Sequence, residues 1–258
     1  MSAIAFSLGP ITVRWYGILI VSGIIIAILI CRKLAAAQNL PPDDILDLAL
    51  VVVPLGIVCA RAYYVLFNWG FYSAHPSEIV AVWHGGLAVH GSILGGALGL
   101  WLVSRHKRQS FRRWADCICP GLILAQAIGR WGNFFNQEAY GYETDLPWAM
   151  FIDGAYRHPT FLYESLWDVL GFGLLMLLWR CWQHRKVGDI AAFYMIFYSL
   201  GRCVIEGFRT DSLMLGPLRM AQVISLVGVV LGLLLFWLNR QYPVQDLIFG
   251  KKHRRSKR

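Results

Sequence analysis

Seven stretches of this chain are each apolar enough, and about long enough, to cross a lipid bilayer, and a soluble fold could not bury so many. A crossing helix needs about 20 mostly apolar residues. The windows fall near 15–31, 45–66, 84–104, 115–134, 160–179, 189–207 and 218–238. The loops between them are short except for 135–159. Composition agrees: 57% of the 258 residues are apolar and only 15% are charged, against roughly 25% charged in an ordinary soluble domain. Mean hydropathy is +0.51. A soluble globular enzyme and a disordered chain are both excluded. The expected fold is an all-α polytopic membrane protein with seven transmembrane helices. One membrane-embedded domain spans residues 1–258, with a small external loop at 135–159 and a basic tail at 240–258. The opening segment, MSAIAFSLGPITVRWYG, lacks the basic stretch of a cleaved secretory signal, so the first span is expected to stay.

The net charge is +9. Such an excess fits nucleic acid, anionic lipid or simple loop bias, and placement decides among them. Seventeen of the 24 Lys and Arg residues fall on one side of the alternating spans, from Arg32 and Lys33 to Arg240 and the final GKKHRRSKR. Arg14, Arg157, Arg209 and Arg219 fall on the other. This asymmetry puts the N-terminus outside and the C-terminus in the cytoplasm. The tail then reads as a topology signal at the inner leaflet, and no nucleic-acid partner is expected. The six cysteines lie in or beside apolar runs, without CxxC or Cys/His ligand spacing, and read as packing rather than as a metal site.

Arg61, Arg130 and Arg202 remain, inside the windows. Ionisable groups there are costly and therefore functional candidates. At about 1.5 Å per residue, Arg130 stands about 22 Å above the cytoplasmic end of its span, Arg202 about 20 Å and Arg61 about 24 Å. Glu206 lies one turn above Arg202, and His90 about 9 Å below the outer surface. Tyr16 opens the first span at that end, and the stretch from Arg157 to Glu164 opens the fifth. Five spans thus bring polar groups to the outer leaflet, while the inner halves are nearly all Leu, Ile, Val, Gly and Trp. Snorkelling to the headgroups suits Arg61. It suits Arg130 less, because Asn133, Asn136 and Glu138 follow it.

With three arginines against Glu164 and Glu206, the layer is positive. The guanidinium fork matches phosphate, and at that depth the phosphate is a phospholipid headgroup. His90 is either a proton acceptor near neutral pH or a bonded structural histidine. The glycines at 85, 86, 91, 95 and 96 mark close approach by another helix or by lipid. No Ser/His/Asp set, HExxH or P-loop is present. The chemistry expected is binding of a phosphate ester that a second substrate attacks. A lipid transporter or scramblase would use similar arginines, but with repeated halves and a midplane site, which the sequence does not show. A seven-span receptor would need a cytoplasmic signalling surface, and the loops there are short and basic.

Four blocks then resemble one family, the prolipoprotein diacylglyceryl transferases of bacterial membranes. The most specific runs Gly129-Arg130-Trp131-Gly132-Asn133-Phe134-Phe135-Asn136-Gln137-Glu138-Ala139-Tyr140-Gly141 and fits the signature G-R-x-[GA]-N-F-x-N-x-E-x-x-G throughout. Three more follow the family's order: His84 to Gly91, Arg157 to Glu164, and Gly201 to Arg209. The likeness extends from Gly9 to Gln222. Ser92 stands where many members carry a second glycine, and the external loop is shorter than in some members. The resemblance implies transfer of the diacylglyceryl group of phosphatidylglycerol to the lipobox cysteine thiol of a prolipoprotein. A thioether forms and glycerol phosphate leaves, with no cofactor and no metal. It implies catalytic roles for His90, Arg130 and Arg202, and substrate-binding roles for Tyr16, Asn133, Glu138, Glu206 and Arg209. The partners implied are phosphatidylglycerol, the lipobox of the signal peptide and membrane lipids, and the location is the bacterial cytoplasmic membrane.

Overall fold

The structure, a computed structural model, describes residues 3–9, 11–210, 214–216 and 218–242. Most of the basic tail, 243–258, lies outside the described residues. Seven long helices run under the seven apolar windows: α1 (Trp15–Ala37), α2 (Asp44–Phe67), α4 (Val89–His106), α5 (Phe111–Asn136), α6 (Thr160–Cys181), α7 (Asp189–Glu206) and α8 (Met220–Gln241). A short helix, α3 (Trp69–Ala74), and two 3-10 turns fill the segment between α2 and α4. Four helices, α1, α2, α6 and α8, are long and apolar enough by composition to cross a membrane. Many of their large apolar side chains are exposed, among them Val21, Leu50, Leu170 and Val230. Contiguous apolar exposure on this scale needs an apolar surrounding.

Two features depart from the sequence reading. The third window begins at 84, yet α4 starts only at Val89. Gly85 and Gly86 adopt φ of 88° and 74°, a left-handed backbone that ends any helix there. His90 is thus the second residue of α4, not a mid-helix group. The fold is also not purely helical, since three two-stranded antiparallel hairpins decorate it: β1 (Ile4–Leu8) with β2 (Ile11–Arg14), β3 (Met150–Ile152) with β4 (Ala155–Arg157), and β5 (Met214–Leu215) with β6 (Leu218–Arg219). Asp153 and Gly154, both at positive φ, make the tight turn between β3 and β4.

The helices pack as a chain of neighbours, α1 on α5, α5 on α6, α6 on α7 and α7 on α8, with α2 and α4 as a second close pair. Small residues make the closest approaches. Gly91, Gly95 and Gly99, each four apart, put one face of α4 against Cys59, Leu55 and Val52 of α2, the small-xxx-small spacing of membrane helix pairs. The neighbour at these glycines is therefore a helix. Cys31, Leu34, Leu48, Val103, Trp114 and Cys117 form a core where α1, α2, α4 and α5 meet. Ile123, Leu175 and Ile190 form another among α5, α6 and α7. All six cysteines are free thiols.

The helix ends where α5 and α7 begin and α8 finishes are not wholly apolar either. Asp116 is 1% exposed and accepts the backbone N–H groups of Gly188 and Ala191 at the start of α7. Beside it, Asp189 accepts from Asn239 and pairs with Arg240 of α8. These groups sit at helix ends, where backbone donors lack intrahelical partners, and a depth count along the sequence passes over them.

Candidate active site

The site is built around one carboxylate. Glu164 stands one turn into α6, between α5 and α7, and is 5% exposed. Arg130 of α5 puts Nε 2.5 Å from Glu164 Oε2, as an ion pair that is not aligned as a hydrogen bond. Arg202 of α7 donates to Glu164 Oε1. Arg209, just beyond α7, reaches the same oxygen at 3.7 Å. Glu206 pairs with Arg202 at 2.6 Å and lies 3.8 Å from Arg209. The Arg202–Glu206 pair spans one turn of α7, as its spacing suggests. Three arginines and two glutamates from α5, α6 and the end of α7 thus form one network.

Its floor holds residues that the sequence reading did not single out. Asp168, one turn further along the same helix than Glu164, is buried, and among the described residues its Oδ2 has no hydrogen-bond partner. The Tyr198 hydroxyl accepts from Arg130 at 3.3 Å. A cavity of about 10 Å³ lies among Glu164, Asp168, Tyr198 and Arg202, room for about one water molecule. The i, i+4 spacing of Glu164 and Asp168 was the available signal. Among the described residues, no three His, Cys, Asp or Glu side chains converge as metal ligands.

The signature block turns sharply after α5. Gln137 and Ala139 take positive φ, rare for residues with a Cβ and frequent at functional sites. The turn folds Glu138 back so that Asn133 and Asn136 both donate to its Oε1, at 3.0 and 3.1 Å. Asn133 and Glu138 therefore bind each other, and no described hydrogen bond joins them to the arginines. Beyond the turn, Gly141 pairs with Arg209, and Thr160 donates to the carbonyl of Ala139. The loop between α5 and α6 is thereby laced to the ends of α6 and α7. Tyr16, in the first turn of α1, lays its ring on Gly132, between Arg130 and Asn133 in the chain. Any Cβ at Gly132 would strike that ring.

Two residues stand elsewhere. Half-buried His90 has its ring 5.9 Å from that of Tyr63 on α2, and no described hydrogen bond or ion pair joins it to the arginine network. Arg61 does not snorkel. It is 6% exposed and donates to the carbonyls of Glu78, Ile79, Ala81, Gly85 and Gly86, with Tyr72 under its guanidinium at 5.2 Å. Its role is to knot the segment that leads into α4. Depth in a span fixes how far a side chain stands from water, but not whether it turns toward lipid or toward nearby carbonyls.

The family model described as prolipoprotein diacylglyceryl transferase matches residues 3–238. Curated relatives named phosphatidylglycerol–prolipoprotein diacylglyceryl transferase are similar over nearly all of the chain. One from Acaryochloris marina (strain MBIC 11017) is 51% identical over 252 residues, covering 92% of each chain. One from Trichormus variabilis (strain ATCC 29413 / PCC 7937) is 48% identical, covering 95% of this chain and 93% of its own. A third, from Clostridioides difficile (strain 630), is 48% identical, covering 91% and 94%.

Proposed function

This chain belongs to the prolipoprotein diacylglyceryl transferase family, and from that premise we propose that the network around Glu164 holds the phosphate of the donor lipid. The protein is a membrane transferase of lipoprotein biosynthesis. It moves the diacylglyceryl group of phosphatidylglycerol onto prolipoproteins. The observation that carries the site assignment is the convergence of Arg130, Arg202 and Arg209 on one buried carboxylate.

The reaction is substitution at the glyceryl carbon that bears the phosphodiester. The sulfur of the lipobox cysteine forms a bond to that carbon, the C–O bond breaks, and glycerol phosphate departs with the electron pair. The thiol proton ends on the departing phosphate or in solvent, so atoms and charge balance. Negative charge grows on the leaving oxygen. Arg130 and Arg202 counter it from a low-dielectric wall, where fixed charges act strongly. Glu164 keeps both guanidiniums in place before the lipid arrives. Glu206 and Arg209 extend the same surface, and Tyr16, Asn133 and Glu138 orient the headgroup at its outer edge.

The attacking thiol has a pKa of about 8.5 and must become a thiolate. Either His90 accepts the proton or the arginines lower the thiol's pKa. His90 stands apart on the α2–α4 pair, which favours the second route, and His90→Ala is then expected to retain measurable transfer.

We read all seven long helices as spans, with the N-terminus outside, the C-terminus in the cytoplasm and the site in the outer leaflet of the bacterial inner membrane. Helices of 18–26 residues measure about 27–39 Å, and the Lys/Arg asymmetry sets the direction. The test is transfer of labelled diacylglyceryl from phosphatidylglycerol vesicles to a lipobox peptide. Arg130→Ala and Arg202→Ala are each expected to lose about 100-fold or more in rate. If both variants fold and transfer at near the parent rate, the assignment is wrong.

A further inference from the structure

The sequence reading counted Arg219 only as one of four external charges, yet its guanidinium does specific work. It stands immediately before α8 and reaches across to the end of α7. One nitrogen, Nη1, donates to the carbonyl of Glu206 and, at 2.8 Å, to the carbonyl of Arg209. The other, Nη2, donates to the hydroxyl of Tyr142 at 3.0 Å, and the cation lies 5.8 Å from the centre of that ring.

The last four carbonyls of a helix have no intrahelical donor, and at the end of α7 each has an identified one. Cys203 receives Gln222 of α8 at 3.1 Å. Val204 and Ile205 receive the N–H groups of Gly207 and Phe208, and Glu206 receives that of Arg209 as well as Arg219. Arg219 is the donor that grips both ends of the Glu206–Arg209 turn. That turn carries two charged residues of the network, and a cation there also suits the negative end of the helix dipole. Tyr142 is itself fixed, because its N–H donates to Phe208 and its carbonyl accepts from His158. One guanidinium therefore joins the start of α8, the end of α7 and the external loop.

We propose that Arg219 is a positioning residue for Arg209, setting the turn from which Arg209 reaches Glu164 and the lipid phosphate. This rests on reading the Glu164 network as the phosphate site. Arg219 acts through backbone carbonyls, so its loss lets the turn shift and spoils lipid binding while the Arg130–Glu164–Arg202 pairing stays. Lysine keeps the charge but cannot span two carbonyls and a phenol with a planar fork.

The test compares Arg219→Ala, Arg219→Lys, Arg209→Ala and the Arg209→Ala/Arg219→Ala double variant in purified full-length protein. Transfer from phosphatidylglycerol to a lipobox peptide is followed over a range of lipid concentration. Arg219→Ala is expected to raise KM for the lipid about tenfold, the size of one weakened charge-assisted contact, with kcat changed less than about threefold, as for lost uniform binding. A merely structural cap would lower the thermal midpoint and the active fraction, hence kcat, and leave KM alone. Arg219→Lys is expected to give an intermediate KM and supplies the same reading if the alanine variant does not fold. The double variant should match Arg209→Ala alone. Raised KM in Arg209→Ala beside unchanged KM in Arg219→Ala or Arg219→Lys overturns the proposal, as do multiplying effects in the double variant. Unchanged KM in Arg209→Ala overturns the phosphate-site assignment first, and the proposal with it.

Discussion

At Glu164 one carboxylate faces guanidiniums from two other helices, so removing its charge leaves two half-buried cations without their shared counter-ion. Breaking a buried pair from one side costs about 3–5 kcal/mol, and the exposed fifth of Arg130 and Arg202 trims that by solvent screening. Glu164→Gln keeps the shape and removes the charge. It is expected to lower the thermal midpoint and to cut kcat/KM by about 100-fold or more, read in the peptide transfer assay beside a melting curve. Parent-like kcat/KM in a folded Glu164→Gln protein would remove Glu164 from the centre of the site. The sequence named Arg130, Arg202, Glu206 and Arg209 through their motifs, but counted Glu164 only as a nearby negative charge. The reason is geometric: nothing along the chain says that α6 stands between α5 and α7. Arg61 shows the converse limit, since its depth was readable and its direction was not.

Among the elements, α7 depends on a residue far from the chemistry. Asp116 sits fourteen residues before Arg130 on α5, about 21 Å away along the helix. It holds the Gly188 and Ala191 N–H groups at 2.6 and 2.9 Å. Asp116→Ala strands two buried donors at about 1–3 kcal/mol each. Its thermal midpoint should fall clearly while KM for phosphatidylglycerol stays within about twofold of the parent, as additivity between distant sites requires. A raised KM with no loss of stability would contradict this division between frame and site. At the joint between α2 and α4, Lys107 donates to Asp44 and Asp47 at 2.7 and 2.6 Å, and these bonds push its pKa up to about 12. A raised lysine pKa means that the clamp is complete below the ordinary value of 10.5 and fades as pH rises through about 12. The difference in thermal midpoint between parent and Lys107→Met should thus stay constant from about pH 7 to 10. A difference absent throughout that range would show that the clamp contributes nothing, and one that shrinks within it would contradict the raised pKa. Helix positions were readable because apolar runs are long and strong signals. The hairpins were not, because strands of two to five residues leave almost no periodicity. Only the Asp153-Gly154 turn announces one of them.

For the whole molecule, three of the seven long helices, α4, α5 and α7, fall short of a membrane span by composition alone. α1, α2, α6 and α8 qualify as spans by composition. α7 carries Asp189, Arg202 and Glu206, α5 carries Asp116, Gln126, Arg130 and Asn133, and α4 is rich in glycine. Charge held for the site lowers the apolar content of α5 and α7, while α6 stays apolar enough to qualify although it carries Glu164 and Asp168. The two counts make opposite predictions about the chain's end. If only the four apolar helices cross, an even number puts Tyr242, just after α8, on the same side as the start of α1. If all seven cross, Tyr242 lies on the opposite side, with Cys181 at the end of α6. Both residues are exposed, and so is Tyr156 in the hairpin between α5 and α6. With the other cysteines replaced, seven crossings predict that a membrane-impermeant thiol reagent applied to intact cells labels Tyr156→Cys but neither Cys181 nor Tyr242→Cys. In inside-out vesicles the pattern should reverse. Labelling of Tyr242→Cys from outside would favour an even count. It would also bring the end of α8, and Arg240 with it, to the outer face, against the bias that keeps Lys and Arg in the cytoplasm. Transfer activity retained in each labelled variant ties the measured topology to the folded enzyme.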